Sequence, residues 1–210
     1  MPTSSRRTPR LTTALLERAY RQGIFPMGDP ETGRVEWYLP DVRTLIDLDR
    51  FHVPRRLAKT IRSGRFRFTI DAAFPEVIRR CGRWERPGEV WITRDIVDLY
   101  CAMHAAGKAH SVEAWEGDTL AGGLYGVALG GAFMGESMFH VARDASKACL
   151  VVLVERLRER GFVLLDTQFP TEHLARFGIE MVPHEEYLGR LARALEKREV
   201  RFTERLKDEG

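Results

Sequence analysis

The sequence predicts an α+β fold, in which helices pack on the faces of a mixed, mostly antiparallel sheet. Three strand patterns at residues 112–115, 120–129 and 133–138 follow one another through short turn signals, as in an antiparallel meander. Helical patterns precede this meander, and a long helix, a strand and a further helix follow it. With 210 residues, of which 44% are hydrophobic and 30% charged, the chain is long and apolar enough to bury such a core.

The remaining elements follow from the periodicity of apolar residues and from the breakers between them. Helical spacing predicts helices at 11–21, 53–63, 71–80, 94–106, 145–160, from 171, and at 184–197. Apolar runs and alternation predict strands at 37–39, 44–48, 66–70, 162–165 and 179–182. Residues 23–33 contain several glycines and prolines and are predicted to form a loop. We expect Asp71, Thr93 and Asp144 to cap the helices that follow them.

Composition argues against several classes of protein. No stretch approaches the ~20 apolar residues of a membrane span, and no apolar segment follows the basic residues 1–10, which we interpret as a loose tail rather than a secretory signal. The three cysteines, Cys81, Cys101 and Cys149, lack the number and spacing of a disulfide framework or a zinc site. We therefore expect a cytoplasmic protein without metal and without membrane contact.

Positive charge is concentrated in one segment, although the net charge of the chain is only +3. Six basic residues and no acidic one lie between Arg55 and Arg67. Such a run can bind phosphates by releasing counterions. The solvated face of an amphipathic helix would have the same composition, so charge alone does not decide. The candidates for nucleic-acid contact are Arg55, Arg56, Lys59 and Arg62.

Three polar residues stand out against apolar surroundings. Asp166 and Gln168 follow the apolar run 162–165 directly, and alternation along a strand would place both side chains on one side. A carboxylate and an amide in this arrangement can hold an amine and orient its proton, although the same residues could simply begin a loop. Glu136 lies in an otherwise apolar strand, where a carboxylate is costly unless paired; a salt bridge to a structural arginine would also explain it.

The segment Gly122–Gly126 is rich in glycine but lacks the pattern of a phosphate-binding loop. Glycines at this place could let a substrate approach the sheet, or they could mark a β-bulge. The order of elements from the first long helical pair onward is that of the GNAT acyltransferase fold, which is an analogy of fold and does not by itself indicate a function.

Several segments, in order, carry a resemblance to a known family. They are Gly23–Pro26, Trp91–Thr93, Ala109–Glu113, Gly122–Gly126, Gly135–Phe139, Ala145–Lys147 and Asp166-x-Gln168. From about residue 20 to residue 188, the chain resembles the leucyl/phenylalanyl-tRNA–protein transferases. The resemblance implies a small N-terminal domain, here 11–60, leaning on a GNAT-like acyltransferase domain, here 61–210, with the site between them.

The resemblance also implies the activity. Members of the family move Leu or Phe from aminoacyl-tRNA to acceptor proteins with N-terminal Arg or Lys, which marks the acceptors for N-end rule degradation. Met is a further candidate donor. Because the ester of aminoacyl-tRNA is already activated, we expect neither a cofactor nor a metal. We assign Gln168 and Asp166 to orienting the attacking amine and assisting its proton transfer, with the role of Asp166 as base or orienter left open, and Glu136 to the positive charge of the acceptor.

The amino acid on the tRNA needs an apolar pocket, and an unpaired terminal base needs a stacking partner. The resemblance implies pocket walls from Leu124, Phe133, Leu153 and Leu157. These four could also be ordinary core. Trp37 and Trp91 could stack on the terminal adenosine, as aromatic side chains do with unpaired bases, or could belong to the core as well.

Two rival functions predict different features. An acyl-CoA N-acyltransferase on the same fold would need backbone amides, usually with glycines, before its long helix to bind pyrophosphate. Residues 140–144 contain no glycine, and Asp144 would repel phosphate. A tRNA-binding protein without catalysis would not require Glu136, Asp166 and Gln168.

Overall fold

The computed structural model of the protein describes residues 11–29, 31–32, 34–82 and 91–203. The predicted tail at 1–10 lies outside these residues. The helices are α1 Thr13–Tyr20, α2 Arg55–Arg62, α3 Phe74–Cys81, α4 Arg94–Ala105, α5 Ala145–Glu159, α6 Glu172–Ala175 and α7 His184–Leu195. The strands are β1 Phe25–Gly28, β2 Val35–Tyr38, β3 Val42–Ile46, β4 Arg67–Ile70, β5 Ala109–Glu116, β6 Thr119–Leu129, β7 Ala132–His140, β8 Leu164–Asp166 and β9 Ile179–Pro183. Within the described part of the chain, none of the helices has the length and apolar character that a membrane crossing requires.

The strands form two sheets. β1 and β2 make a small antiparallel pair, and the others form one sheet in the order β4-β5-β6-β7-β8-β3-β9. In the larger sheet only β7 and β8 run parallel to each other; the remaining neighbours are antiparallel. The predicted α+β class with a mixed, mostly antiparallel sheet is therefore confirmed, and the likeness to the GNAT fold stays a prediction.

Helices cover both faces of the large sheet, which explains why its central strands are buried almost throughout. One core lies under α5 and α2 and takes Val112 and Ala114 from β5. The other lies under α1, α3, α4 and α7 and takes Ala109 from the same strand. Alternate residues of a strand point to opposite faces, so β5 contributes to both cores, although Ser111 and Glu113 on the Ala109 face are buried polar residues whose side chains hydrogen-bond to each other.

The small N-terminal unit contains one strand that the sequence did not predict. Residues 25–28, predicted as loop, form β1 because they pair with β2, with Phe25 opposite Tyr38 and Pro26 opposite Trp37. Pro26 is tolerated because a two-stranded sheet has only edge strands. The proposed boundary at residue 60 stays a prediction; β3 lies before it in the chain, yet it pairs with β8 and β9 in the large sheet.

The predicted side-chain caps are wrong for three helices. Asp71 has a left-handed backbone with φ of 60°, and its carboxylate accepts from the Ser111 backbone N–H instead. Thr93 and Asp144 stand directly before α4 and α5, but neither side chain accepts a helix N–H. Asp144 is also left-handed and pairs with Lys147 Nζ at 3.3 Å. A tertiary partner has replaced local capping at Asp71, whereas Asp144 pairs with a side chain in the first turn of its own helix.

The glycines of β6 serve the protein's own packing. A Cβ atom on Gly126 would collide with the Met134 carbonyl and the Phe133 ring, and the register of β6 with β7 shifts at this residue. On Gly122 it would lie 2.7 Å from Ala145 Cβ at the start of α5. Of the two alternatives left open by the sequence, the β-bulge is found beside Gly126, but its extra residue lies on the partner strand β7.

Candidate active site

A cavity of about 350 Å³ opens where β7 leaves β8. The parallel pairing of these strands ends at Met134 and Asp166, while β7 continues to His140. The wall is formed by apolar side chains of β6, β7, β8, α5 and α6 together with a few polar groups. It consists of Leu124, Tyr125, Gly135, Glu136, Ser137, Met138, Leu150, Leu153, Leu165, Thr167, Thr171 and Leu174.

Glu136 reaches this cavity because it is the extra residue of the bulge. Tyr125 pairs with Ser137 and Gly126 with Gly135, so Glu136 between them has no opposite residue on β6. A bulge turns a side chain out of the regular alternation of its strand. The Glu136 carboxylate accepts one hydrogen bond from Gln168 Nε2 at 2.9 Å and another from Tyr100 Oη at 3.1 Å.

The two tyrosines behind Glu136 extend the polar group into the core. The hydroxyl of Tyr20 on α1 is hydrogen-bonded to that of Tyr100 on α4, and both side chains are buried. Among the described residues no arginine or lysine forms an ion pair with Glu136, so the salt bridge that the sequence left open is absent there. Neutral donors therefore hold this carboxylate.

Burial raises the pKa of Glu136 to about 7. The hydrogen bonds from Tyr20 and Tyr100 oppose this effect, the negative charge of Asp166 adds to it, and the positive charge of Arg43 opposes it. Desolvation disfavours the charged form of a carboxyl group, so the net pKa lies near neutrality. Glu136 consequently changes its charge within the range in which enzymes work.

Asp166 is fully buried and its carboxylate is occupied by fixed partners. Arg43 Nε lies 3.0 Å from both carboxylate oxygens, and Arg43 Nη2 lies 2.8 Å from Oδ2. Tyr187 Oη donates to Oδ2 at 2.9 Å, and the backbone N–H of Gln168 donates to Oδ1 at 2.9 Å. Asp166 is therefore connected to the cavity lining through Gln168, whose backbone N–H it accepts and whose side chain donates to Glu136.

Gln168 has a left-handed backbone with φ of 55°, which a residue other than glycine rarely adopts. The Asp166 carboxylate holds its N–H, and the N–H of Thr44 donates to its carbonyl at 3.2 Å. This conformation lets the side-chain amide cross to Glu136 on the opposite strand. Because Nε2 is the donor in that contact, Oε1 remains as the acceptor atom of the amide.

Arg43 is a site residue that sequence reasoning missed. Besides Asp166, it donates from Nη1 to the Gly23 carbonyl at 2.9 Å. Its guanidinium lies between the rings of Phe25 and Tyr187, with Cζ 4.8 and 4.5 Å from their centroids. Burial lowers its pKa, but the adjacent carboxylate of Asp166 more than offsets this, so the net pKa is raised. The available signal was a charged residue inside the apolar strand pattern at 42–46.

The four residues predicted as pocket wall divide into two pairs. Leu124 and Leu153 line the cavity. Phe133 and Leu157 do not: both are fully buried in the core under α5, where the Phe133 ring lies 5.2 Å from that of Phe202. Leu153 and Leu157 share a face of α5, as predicted. The part of this face that lines the cavity, however, consists of Leu150 and Leu153, which precede Leu157 in the helix.

The two tryptophans lie outside the cavity lining. Trp37 is exposed on β2, whereas Trp91 is half-buried against the core. The register of β1 and β2 places Trp37 on the same face of the small sheet as Gly28. The Trp91 carbonyl accepts a hydrogen bond from the Gly28 N–H at 2.8 Å, so the Trp91 backbone lies beside β1.

The basic run forms α2, and its four candidate residues, Arg55, Arg56, Lys59 and Arg62, are all exposed. Within the described part of the chain none of them forms an ion pair. Arg65 differs, because its Nε lies 2.8 Å from Glu116 Oε1. Also within that part, no three His, Cys, Asp or Glu side chains gather as a metal site.

Comparison with known proteins finds family models and relatives that carry the same description. The family model described as leucyl/phenylalanyl-tRNA protein transferase matches residues 45–192, and the model of that family's N-terminal domain matches residues 10–41. A relative from Akkermansia muciniphila is 52% identical over 189 residues, which are 90% of this chain and 98% of that protein. Relatives from Anaeromyxobacter sp. (strain K) and Salinibacter ruber are 54% and 51% identical over 87% and 89% of this chain, and over 79% and 81% of their own lengths. All three are named leucyl/phenylalanyl-tRNA--protein transferase.

The buried ion pair leads to a prediction about stability. We expect Arg43→Ala to lower the free energy of unfolding by about 3–5 kcal/mol, because it leaves the Asp166 carboxylate buried without its cation. The matched control Arg50→Ala removes an exposed arginine 3.9 Å from Asp47 and should change stability by less than about 0.5 kcal/mol. Urea denaturation of both variants measures the difference. Equal stability of the two variants would contradict a structural role for the pair.

Proposed function

The chain belongs to the leucyl/phenylalanyl-tRNA protein transferase family, and we propose that it moves Leu or Phe from aminoacyl-tRNA to the N-terminal Arg or Lys of acceptor proteins. It is a transferase that acts on aminoacyl-tRNA and protein. The observation that carries the finer proposal is a cavity whose wall includes the Glu136 carboxylate, with the buried amide of Gln168 hydrogen-bonded to that carboxylate from beside the cavity.

The cavity supports a donor amino acid with an apolar side chain. Its wall is largely leucine and methionine, and its volume of about 350 Å³ leaves room for Leu, Met or Phe. Burying such a side chain contributes roughly 1.5–3 kcal/mol. A short polar side chain would gain nothing comparable from the leucine side chains of the wall.

The polar groups at the opening suit an attack by an amine on an ester. Gln168 is assigned to the attacking α-amine, which donates to Oε1 and is thereby aimed at the ester carbon. The amine becomes bonded to that carbon, the ribose oxygen leaves with the bonding electrons, and one amine proton must be lost. No cofactor is assigned, since the ester is already activated.

Asp166 and Glu136 take different parts in this scheme. Asp166 holds the backbone of Gln168 in its left-handed conformation, and its engagement by Arg43 and Tyr187 supports the role of an orienter. Glu136 lines the cavity and meets the positive charge of the acceptor. Placing a cation beside this carboxylate stabilises its charged form and strengthens the contact.

The remaining assignments concern where the substrates are held. The exposed cations of α2 are assigned to the tRNA backbone, and Trp37 on β2 and Trp91 beside β1 to the terminal adenosine. We place the reaction in the cytoplasm and its product in N-end rule degradation. Cys81, Cys101 and Cys149 form no disulfide with one another, which suits that compartment.

The proposed activity predicts transfer without added nucleotide or metal. Purified protein should transfer labelled Leu from Leu-tRNA to a peptide that begins with Arg, in the presence of EDTA. A peptide that begins with Glu serves as the matched acceptor control, and acetyl-CoA as the donor control. Loss of transfer in EDTA, equal transfer to both peptides, or acetylation of the peptide would contradict the proposal.

The position of Glu136 predicts a pH-dependent affinity for the acceptor. Glu136→Gln should raise the KM for an Arg peptide about ten- to a hundredfold, because it removes a charge-assisted contact of roughly 1.5–3 kcal/mol. With a pKa of about 7, Glu136 is charged above neutrality, so the KM of the unmodified protein should rise as the pH falls through 7. The part of this dependence that belongs to Glu136 should be absent in Glu136→Gln, while the titration of the acceptor α-amine, with a pKa of about 7.7–8.0, remains in both proteins.

The control for this prediction is Glu155→Gln, which changes an exposed glutamate of α5 and should leave KM unchanged. Asp166→Asn should differ from both and lower kcat at saturating peptide, since it loosens Gln168. A pH profile of KM that is the same in Glu136→Gln and in the unmodified protein would show that Glu136 does not meet the acceptor charge.

The exposed cations of α2 predict that the affinity for tRNA falls as the salt concentration rises. Replacing Arg55, Arg56 and Lys59 with Ala should flatten the plot of log K against log salt by up to about three units of slope. A control variant that replaces three exposed arginines elsewhere, Arg50, Arg176 and Arg193, should retain the slope. Equal slopes for the two variants would assign α2 to an ordinary solvated surface.

A further inference from the structure

We propose that residues two to four of the acceptor polypeptide bind across an exposed aromatic surface next to Gln168, formed by Tyr38, Leu39 and Phe169. We call it the exit surface. The inference rests on the proposed function, because that function places the acceptor amine at Gln168. A protein acceptor, unlike a free amino acid, must continue from this point over the outside of the enzyme.

The exit surface begins at the residue directly after Gln168. Phe169 is 43% exposed, Tyr38 is 38% exposed and Leu39 is 55% exposed. The ring of Phe25, itself buried, lies between the two aromatic side chains, 5.7 Å from Phe169 and 6.1 Å from Tyr38. Exposed apolar side chains that adjoin a proposed reaction site are typical of surfaces that bind a partner.

The exit surface is tied to the groups at the mouth of the cavity. Phe25 carries the guanidinium of Arg43 against its ring, and Arg43 binds the Asp166 carboxylate that holds the Gln168 N–H. A chain of direct contacts therefore sets the distance from Phe169 and Tyr38 to the amide of Gln168. An extended polypeptide advances ~3.3 Å per residue, so about three or four residues cover the path from Phe169 past Phe25 to Tyr38.

Charge favours a polypeptide rather than tRNA as the occupant. Residues 29–41 contain four acidic residues, Asp29, Glu31, Glu36 and Asp41, against the single base Arg34. Tyr38 Oη donates to Glu36 Oε2 at 2.9 Å, which holds a carboxylate beside the aromatic surface. On the face of β2 that carries Glu36 and Tyr38, which is opposite to the face of Trp37, phosphates would be repelled, whereas an acceptor with a basic N-terminus would be attracted.

The test compares a one-residue acceptor with a longer one. Arginine amide reaches Gln168 but has no residues to place on the exit surface, while a hexapeptide that begins with Arg has five. Phe169→Ala and Tyr38→Ala should raise the KM of the hexapeptide about tenfold and leave the KM of arginine amide unchanged. For both acceptors kcat should stay constant, as should the Kd for Leu-tRNA.

Two further variants sharpen the comparison. Val163→Ala removes apolar area from a side chain that is 51% exposed at the other end of β8, and it should change neither KM. Phe169→Leu keeps an apolar side chain and should raise the hexapeptide KM less than Phe169→Ala does. Its folding also distinguishes a lost contact from a lost structure, because a large apolar side chain still covers Phe25.

Three results would overturn the inference. If the KM values of both acceptors rise together, the substitutions act on the site and not on a separate surface. An unchanged hexapeptide KM would show that the acceptor leaves by another route, and a raised Kd for Leu-tRNA would give the surface to the nucleic acid. If the unmodified protein transfers to neither acceptor, the proposed function itself fails, which these three results leave intact.

Discussion

The buried ion pair between Arg43 and Asp166 is the interaction on which the rest of the site depends. It joins two neighbouring strands, β3 and β8, and through the Gly23 carbonyl it also fixes the segment before β1. A buried pair is weak as a source of stability, because desolvation opposes the attraction between the charges. Its effect here is geometric: the carboxylate that binds Arg43 also holds the left-handed Gln168, whose side chain could not otherwise cross to β7.

A second constraint is the divergence of β7 from β8, which separates polar from apolar functions. Beyond Met134 and Asp166 the two strands are no longer paired. The side-chain amide of Gln168 donates a hydrogen bond to Glu136 across the gap between them. Behind this hydrogen bond the wall combines leucine side chains with the hydroxyl groups of Ser137, Thr167 and Thr171. One break in a sheet, together with the loop between β8 and α6, thus provides both a pocket for a side chain and a carboxylate in its wall.

The sequence predicted the elements with strong periodicity and the polar residues at the end of β8. Asp166 and Gln168 were found because a carboxylate and an amide after an apolar strand have a local signature. Arg43 was missed because its partner Asp166 lies 123 residues away along the chain, and the local sequence around either residue does not indicate an ion pair between them. Phe133 and Leu157 failed for a related reason: apolar residues on one strand or helix face look alike, and only the packing of Phe202 decides which ones face the cavity.

The two macromolecules handled by this family have to meet at one cavity, and the distribution of charge offers a way to keep them apart. The run at 55–67 carries only positive charge, while 29–41 carries a net negative charge, so the phosphates are drawn to the first and repelled by the face of β2 that carries Glu36 and Tyr38. Among the described residues that line the cavity, Glu136 is the one carboxylate, and its charge is sensitive near neutrality. A basic acceptor stabilises that charge as it arrives, so the site becomes fully anionic only when the cation it is meant to bind is present. An empty site, being partly protonated, interacts less unfavourably with the incoming tRNA, and this gives a physical reason for burying the glutamate instead of leaving it in solvent.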